Sequence, residues 1–206
     1  MKNKRSADST SIVKRSKSAR TRRRIYDAAM QLFAKQGYAE TTVADICAAA
    51  DIARATFFLH FPHKSALILE LSRAMAAEWL AQREQSDTVT PLETLRQMLE
   101  FIVCRNVSPR VAAPWLDEFH HEFGEDTAML AAPGTMLGEC TRLISAAQRT
   151  GGLVRDIPAR EIALHFHRVT SAYVLVARGS SKLRASKAWR LFAHGAVSSA
   201  ERNSTG

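Results

Sequence analysis

Arg54, Thr56 and His60 fall within one seven-residue segment, Arg54-Ala55-Thr56-Phe57-Phe58-Leu59-His60. Lys64 lies four residues beyond it, and Thr41-Thr42 stand upstream. These residue types suit a duplex. An arginine fork can donate twice to the edge of a guanine, the commonest specific base contact, worth about 1–3 kcal/mol. The threonine hydroxyls, the imidazole and the ammonium suit phosphate oxygens. Ala55 is small enough for close approach to the groove floor or for a thymine methyl. Phe58 and Leu59 offer apolar surface. The plainer alternative for Arg54 is a phosphate contact or a solvated side chain.

Such side chains need a rigid mount. Ile25, Ala28, Ala29, Leu32 and Phe33 recur at helical spacing and predict a helix from Arg20 to the stop at Gly37. Thr41 and Thr42 both offer N-caps to a second, short helix burying Val43, Ile46 and Cys47. Thr42 with Asp45 has capping-box spacing, with Asp in place of Glu. One threonine should cap while the other meets phosphate; the sequence does not say which. A turn near Ala50-Asp51-Ile52 leads to a third helix, Arg54 to His60, and Pro62 interrupts. A short helix pair joined by so tight a turn is the layout of a helix-turn-helix, whose second helix enters the major groove. An ordinary helical hairpin has the same periodicity.

Charge favours the nucleic-acid reading. The 206-residue chain has a net charge of +9. Ten of its 29 basic residues and one of its 20 acids fall within residues 1–24, which leaves nineteen of each in the remainder. A field confined to one end attracts polyanions. Residues 1–19, rich in Ser, Lys and Arg, read as a disordered basic arm. Three widely separated cysteines, Cys47, Cys104 and Cys140, give neither a disulfide framework nor a zinc spacing. No apolar run approaches the roughly 18 residues of a membrane span, so a cytoplasmic protein is expected. No nucleophile elbow, phosphate loop or dinucleotide fingerprint appears, so neither an enzyme nor a bound cofactor is expected.

The run Ala29-Met30-Gln31-Leu32-Phe33-Ala34-Lys35-Gln36-Gly37-Tyr38-Ala39-Glu40-Thr41-Thr42-Val43-Ala44-Asp45-Ile46 resembles the first half of the signature of the tetracycline-repressor (TetR) family. Thr56-Phe57-Phe58-Leu59-His60-Phe61-Pro62-His63-Lys64-Ser65-Ala66-Leu67 resembles its second half. The match as a whole, including the residues between and around these runs, covers about a quarter of the chain. The resemblance implies a dimeric transcriptional regulator, most often a repressor. A small molecule bound in its C-terminal domain releases it from a palindromic DNA operator. It implies DNA contacts from Thr41, Thr42, Arg54, Ala55, Thr56, Phe58, Leu59, His60 and Lys64, with His60 and Lys64 on the backbone. There are departures. Phe58 stands in place of the usual Tyr, Asp51 of a common Gly, Ala53 of a frequent Ser, and His63 of a capping residue. Several polar contacts are thereby removed, and the basic arm is a candidate to compensate along the minor groove.

The remaining chain also reads as helices, without period-two alternation, so the fold class is all-α. The expected domains are the arm, 1–19; the helix-turn-helix domain, 20–66; and a helical effector-binding and dimerisation domain, 67–206. Helices are predicted from about Lys64 to Gln85, Thr90-Pro91 to Asn106, Ser108-Pro109 to Gly124, Pro133 to Gly151, Pro158 to Arg178 and Ser186 to Ala200. Met75, Trp79, Met98, Phe101, Ile102, Trp115, Phe119, Met136 and Cys140 could line a hydrophobic effector cavity or simply form core. Phe166, Val169, Tyr173, Val176, Trp189 and Phe192 form a seam that suits either a dimer interface, as the resemblance implies, or the chain's own core. His120 with His121, and His165 with His167, point to different helix faces, so neither pair can chelate by itself; with Asp117, Glu118 and Glu122 nearby, ligands would have to come from both helices, and no metal is expected. The competing functional reading is a helical ligand-binding or signalling protein whose basic arm meets RNA or an anionic membrane.

Overall fold

The structure, a computed structural model, describes residues 4–83, 90–105, 132–175 and 179–196. Among these residues all regular structure is helical. The elements are α1 (Lys4–Gln36), α2 (Val43–Ala49), α3 (Arg54–His60), α4 (Ala66–Arg83), α5 (Pro91–Cys104), α6 (Met136–Thr150), α7 (Ala159–Leu175) and α8 (Ser181–Ala196). No helix among them is long and apolar enough to cross a membrane. The chain divides into two compact units, Met1–Ile68 and Leu69–Gly206, two residues beyond the expected boundary.

In the first unit α1 starts at Lys4, where the composition predicted a disordered arm through residue 19. The reason lies in what the arm lacks. Neither Gly nor Pro occurs before Gly37, and Lys, Arg and Ala lose little on entering a helix. A helix nucleated on the buried Ile25–Phe33 stripe therefore propagates backwards without a breaker. Ile25, Phe33, Tyr38, Ile46, Phe57, Phe61 and Leu67 enclose the unit's core.

In the second unit α5 packs against α6, α7 and α8, and α7 also packs on α6 and α8. Local signals set their starts. Thr90 caps α5 by accepting from the Glu93 N–H, with Pro91 in the first turn. Thr135 caps α6, which ends at left-handed Gly151 (φ 85°). The buried Ser72 hydroxyl accepts from the Met136 N–H at 3.1 Å, tying α4 to the start of α6. The last helix begins at Ser181, five residues before the expected Ser186. Gly179, at φ 113°, breaks the chain, the Ser180 hydroxyl accepts from Leu183 N–H, and nothing between Ser181 and Ser186 resists the helix. The helix expected over 108–124, and the expected ends at Arg178 and Ala200, lie outside the described residues.

Candidate nucleic-acid interface

The turn before α3 is built by backbone hydrogen bonds. Ala50 ends α2, Ile52 N–H donates to Cys47 C=O at 3.0 Å, and Asp51 N–H donates to Ala48 C=O at 3.2 Å. That pairing is a Schellman motif, which requires a left-handed residue between. Asp51 supplies it at φ 48°, where the family pattern has glycine. Arg24 of α1 donates to the Asp51 carbonyl at 3.1 Å and so ties the turn to α1.

Arg22, half a turn earlier, holds the other end of α3. Its guanidinium lies 4.2 Å from the Phe61 ring centre and donates to the His60 carbonyl. Burial of the ring, then the Arg22 cation, hold the His60 imidazole below its ordinary pKa, so it is neutral at pH 7. A third cation closes the unit. Lys64 Nζ donates to the carbonyls of Tyr38 at 3.0 Å and Thr41 at 3.2 Å, and stands 3.9 Å from the Tyr38 ring centre. Sequence reasoning placed Lys64 at the start of a helix. That helix begins at Ala66, and the ammonium faces carbonyls of the α1–α2 turn.

The two threonines divide their work. Thr42 is the N-cap of α2: its hydroxyl accepts from Asp45 N–H at 3.1 Å, and its own N–H donates to Asp45 Oδ2 at 2.8 Å. Both halves of the capping box are present, and these bonds hold the Asp45 carboxyl below its ordinary pKa. Thr41 is fully buried, and its hydroxyl donates to Gly37 C=O at 2.6 Å. Its side chain supports the turn and does not face solvent.

The outward face of α3 carries Arg54, Ala55, Phe58 and Leu59, with Thr56 and His60 half-buried at its margins and Phe57 fully buried behind it. Leu59 is 83% exposed and Phe58 44%. The Arg54 guanidinium lies 5.8 Å from the Phe58 ring centre. Six of the nine nominated DNA contacts thus lie on or beside one face, α3; Lys64 is turned to the α1–α2 turn, Thr42 caps α2, and Thr41 is enclosed. The sequence did not single out Arg22 and Arg24, which position this face. Their one signal was membership of the basic run.

Residues 25–71 match the family model described as "Bacterial regulatory proteins, tetR family". The match lies within the N-terminal unit, apart from its last three residues. Similar curated proteins include the HTH-type transcriptional regulator AcrR of Shigella flexneri, 35% identical over 82 residues. That alignment spans 38% of this chain and 38% of AcrR. TtgR of Pseudomonas putida is 36% identical over 93 residues, 43% of this chain and 44% of TtgR. The matches thus span less than half of these relatives. The likeness of fold extends through the chain. The structure of RolR in complex with resorcinol superposes with a TM-score of 0.58 at 20% identity, covering 85% of this chain and 89% of that one. Salmonella enterica GusR superposes at 0.57 and 21%, covering 84% and 94%. The chain therefore shares the fold of these solved structures in both units.

In the C-terminal unit the nominated effector residues divide between two recesses. Ile102, Met136 and Cys140 share a cavity of about 20 Å³ with Leu137, Phe166, His167 and Ser171, room for roughly one water. Trp79 and Phe101 line an open cleft of about 470 Å³ with Glu78, Gln82, Gln97, Glu100, Cys104 and Arg105. Met75 and Met98 are buried in the core. Burial drives the Cys140 thiol pKa far up, so it stays protonated. Trp115 and Phe119 lie outside the described residues.

Of the two readings of the seam, the chain's own core accounts for three of its residues. Phe166, Val169 and Phe192 are buried in this chain's own core, with Tyr173 and Trp189 packed against it; Val176 lies outside the described residues. The period that marked a seam marks the inner face. The outer face of α8 carries exposed Leu183 and Leu191. His165 is exposed and stacks on Phe192, while His167 lines the small cavity. His120, His121, Asp117, Glu118 and Glu122 lie outside the described residues.

Proposed function

We propose that the protein is a DNA-binding transcriptional regulator that acts as a homodimer on a palindromic operator and is released by a small molecule. One observation carries this: α3 presents Arg54 on an exposed face while Arg22 and Arg24 fix its two ends. Two-fold symmetry would set two such helices about one DNA turn apart, roughly 34–36 Å, and repression is the mode the family resemblance implies. The outer face of α8, with Leu183 and Leu191, is the surface offered to the second copy. RolR's resorcinol supports a small, largely apolar effector for the C-terminal unit, and no catalytic step is assigned.

The test is sequence-specific binding by the full chain. Affinity should fall steeply with salt, because cations that neutralise phosphates release counterions. Arg54→Ala should relax preference at one base position, and Lys64→Ala should weaken every sequence alike. A shallow salt slope and no preferred duplex would instead favour a helical ligand-binding protein without an operator.

A further inference from the structure

The outward residues of α3 are mostly unable to hydrogen-bond a base. Ala53, Ala55, Phe58 and Leu59 are all exposed, and none has a polar side-chain atom. Arg54 is the charged exception. Thr56 and His60 are half-buried at the margins. In the major groove each base pair shows donors and acceptors, and thymine alone among the four bases adds an apolar group, the C5 methyl. A side chain such as Leu59 can distinguish bases there only through that methyl. Exposed apolar residues on a helix could equally meet another protein. What decides for DNA is their setting: they share a face with the Arg54 guanidinium, on a unit whose first 24 residues carry the chain's whole excess of positive charge.

We propose that Ala55, Phe58 and Leu59 read thymine methyl groups, so that each operator half-site places thymine within two base steps of the guanine read by Arg54. This rests on the DNA-binding reading above. The register follows from helix geometry. Arg54 and Phe58 are four residues apart, as are Ala55 and Leu59, so the two pairs form adjacent rows on one face. From Arg54 to Leu59 the helix rises about 7.5 Å, close to two base steps of about 3.4 Å each. Leu59 is the more exposed of the two large side chains, 83% against 44% for Phe58.

The experiment uses the full chain and a random duplex library to select preferred sequences. Each thymine of the selected half-site is then replaced by deoxyuridine, which keeps the pairing and removes only the methyl. Losing one buried methyl should weaken binding roughly fourfold, at one or two positions beside the selected guanine. Leu59→Ala, an exposed substitution that should fold normally, should bind more weakly and lose discrimination between thymine and uracil at one of them. Phe58→Ala should do so at the neighbouring one. Selected half-sites without thymine there, or wild-type protein indifferent to uracil, would overturn the proposal and leave DNA binding intact. If no duplex is enriched, the DNA-binding reading fails and takes this one with it. If Leu59→Ala alters the oligomeric state and leaves uracil discrimination unchanged, the face belongs to a second copy, and the proposal is refuted.

Discussion

The ammonium of Lys64 stands 3.9 Å from the ring centre of Tyr38 and donates to that residue's own carbonyl at 3.0 Å. One cation thus meets both the π face and the backbone of a buried residue 26 positions earlier. Two of its three N–H donors go to carbonyls of the α1–α2 turn. Lys64→Met keeps the aliphatic stem and loses these contacts. It should destabilise the chain by about 1–3 kcal/mol in urea unfolding. A double-mutant cycle with Tyr38→Leu should show a coupling of about 0.5–1 kcal/mol. Additive effects would mean that the ring and the ammonium do not interact.

Adjacent threonines should fail differently. Thr42→Ala removes a cap and should cost about 1 kcal/mol, with Thr42→Ser nearly neutral. Thr41→Val keeps the shape but leaves the Gly37 carbonyl without its hydroxyl donor, at a cost of about 1–3 kcal/mol. Thr41→Ser should recover most of that. Equal tolerance of Val at both positions in thermal melts would contradict the division of roles.

At Asp51, φ 48° is a geometry that glycine adopts freely and an L-residue pays for. Asp51→Gly should therefore stabilise the chain by about 0.5–1 kcal/mol. The Arg24 hydrogen bond is to the backbone carbonyl and survives the change. A loss of stability would show that the Asp side chain itself holds the turn.

His60 should make stability depend on pH. Its folded-state pKa lies below the ordinary value because of burial and then the Arg22 cation. Over that interval the unfolded chain binds more protons, so stability rises with pH. The contribution is complete above the unfolded value of about 6.5 and is lost as pH falls through the folded one. His60→Gln should flatten the difference in urea midpoint between pH 5.5 and pH 7.5. An unchanged pH profile would place the titration elsewhere.

In the C-terminal unit, Gly138 sits in the first turn of α6, where its N–H donates to Thr135 Oγ1 at 3.0 Å. A Cβ there would lie 2.2 Å from the Ala132 carbonyl oxygen. Gly→Ala within a helix ordinarily gains up to about 1 kcal/mol. Here the backbone would have to move, and the net loss should be about 1–3 kcal/mol. A raised melting temperature for Gly138→Ala would refute the clash.

Much of this protein was determined by its sequence alone, because the deciding interactions are local. The Thr42–Asp45 box, the Thr90-Pro91 start, the stops at Gly37 and Gly151 and the span of α3 each depend on residues within one turn of each other. A chain with few breakers and helical spacing throughout has little choice but all-α. Only the tertiary structure decided the rest. It showed which threonine caps and which is enclosed, and it set Arg22 and Arg24 as the clasps of α3. It turned Phe166 and Phe192 into the unit's own core, and divided the nominated effector residues between two recesses. The physical reason is common to all four. A periodic apolar stripe states that one helix face is buried but not what buries it, and a basic run states charge but not direction. Those choices depend on contacts between residues tens of positions apart, such as Arg22 with Phe61 and Lys64 with Tyr38, which exist only once the helices have packed.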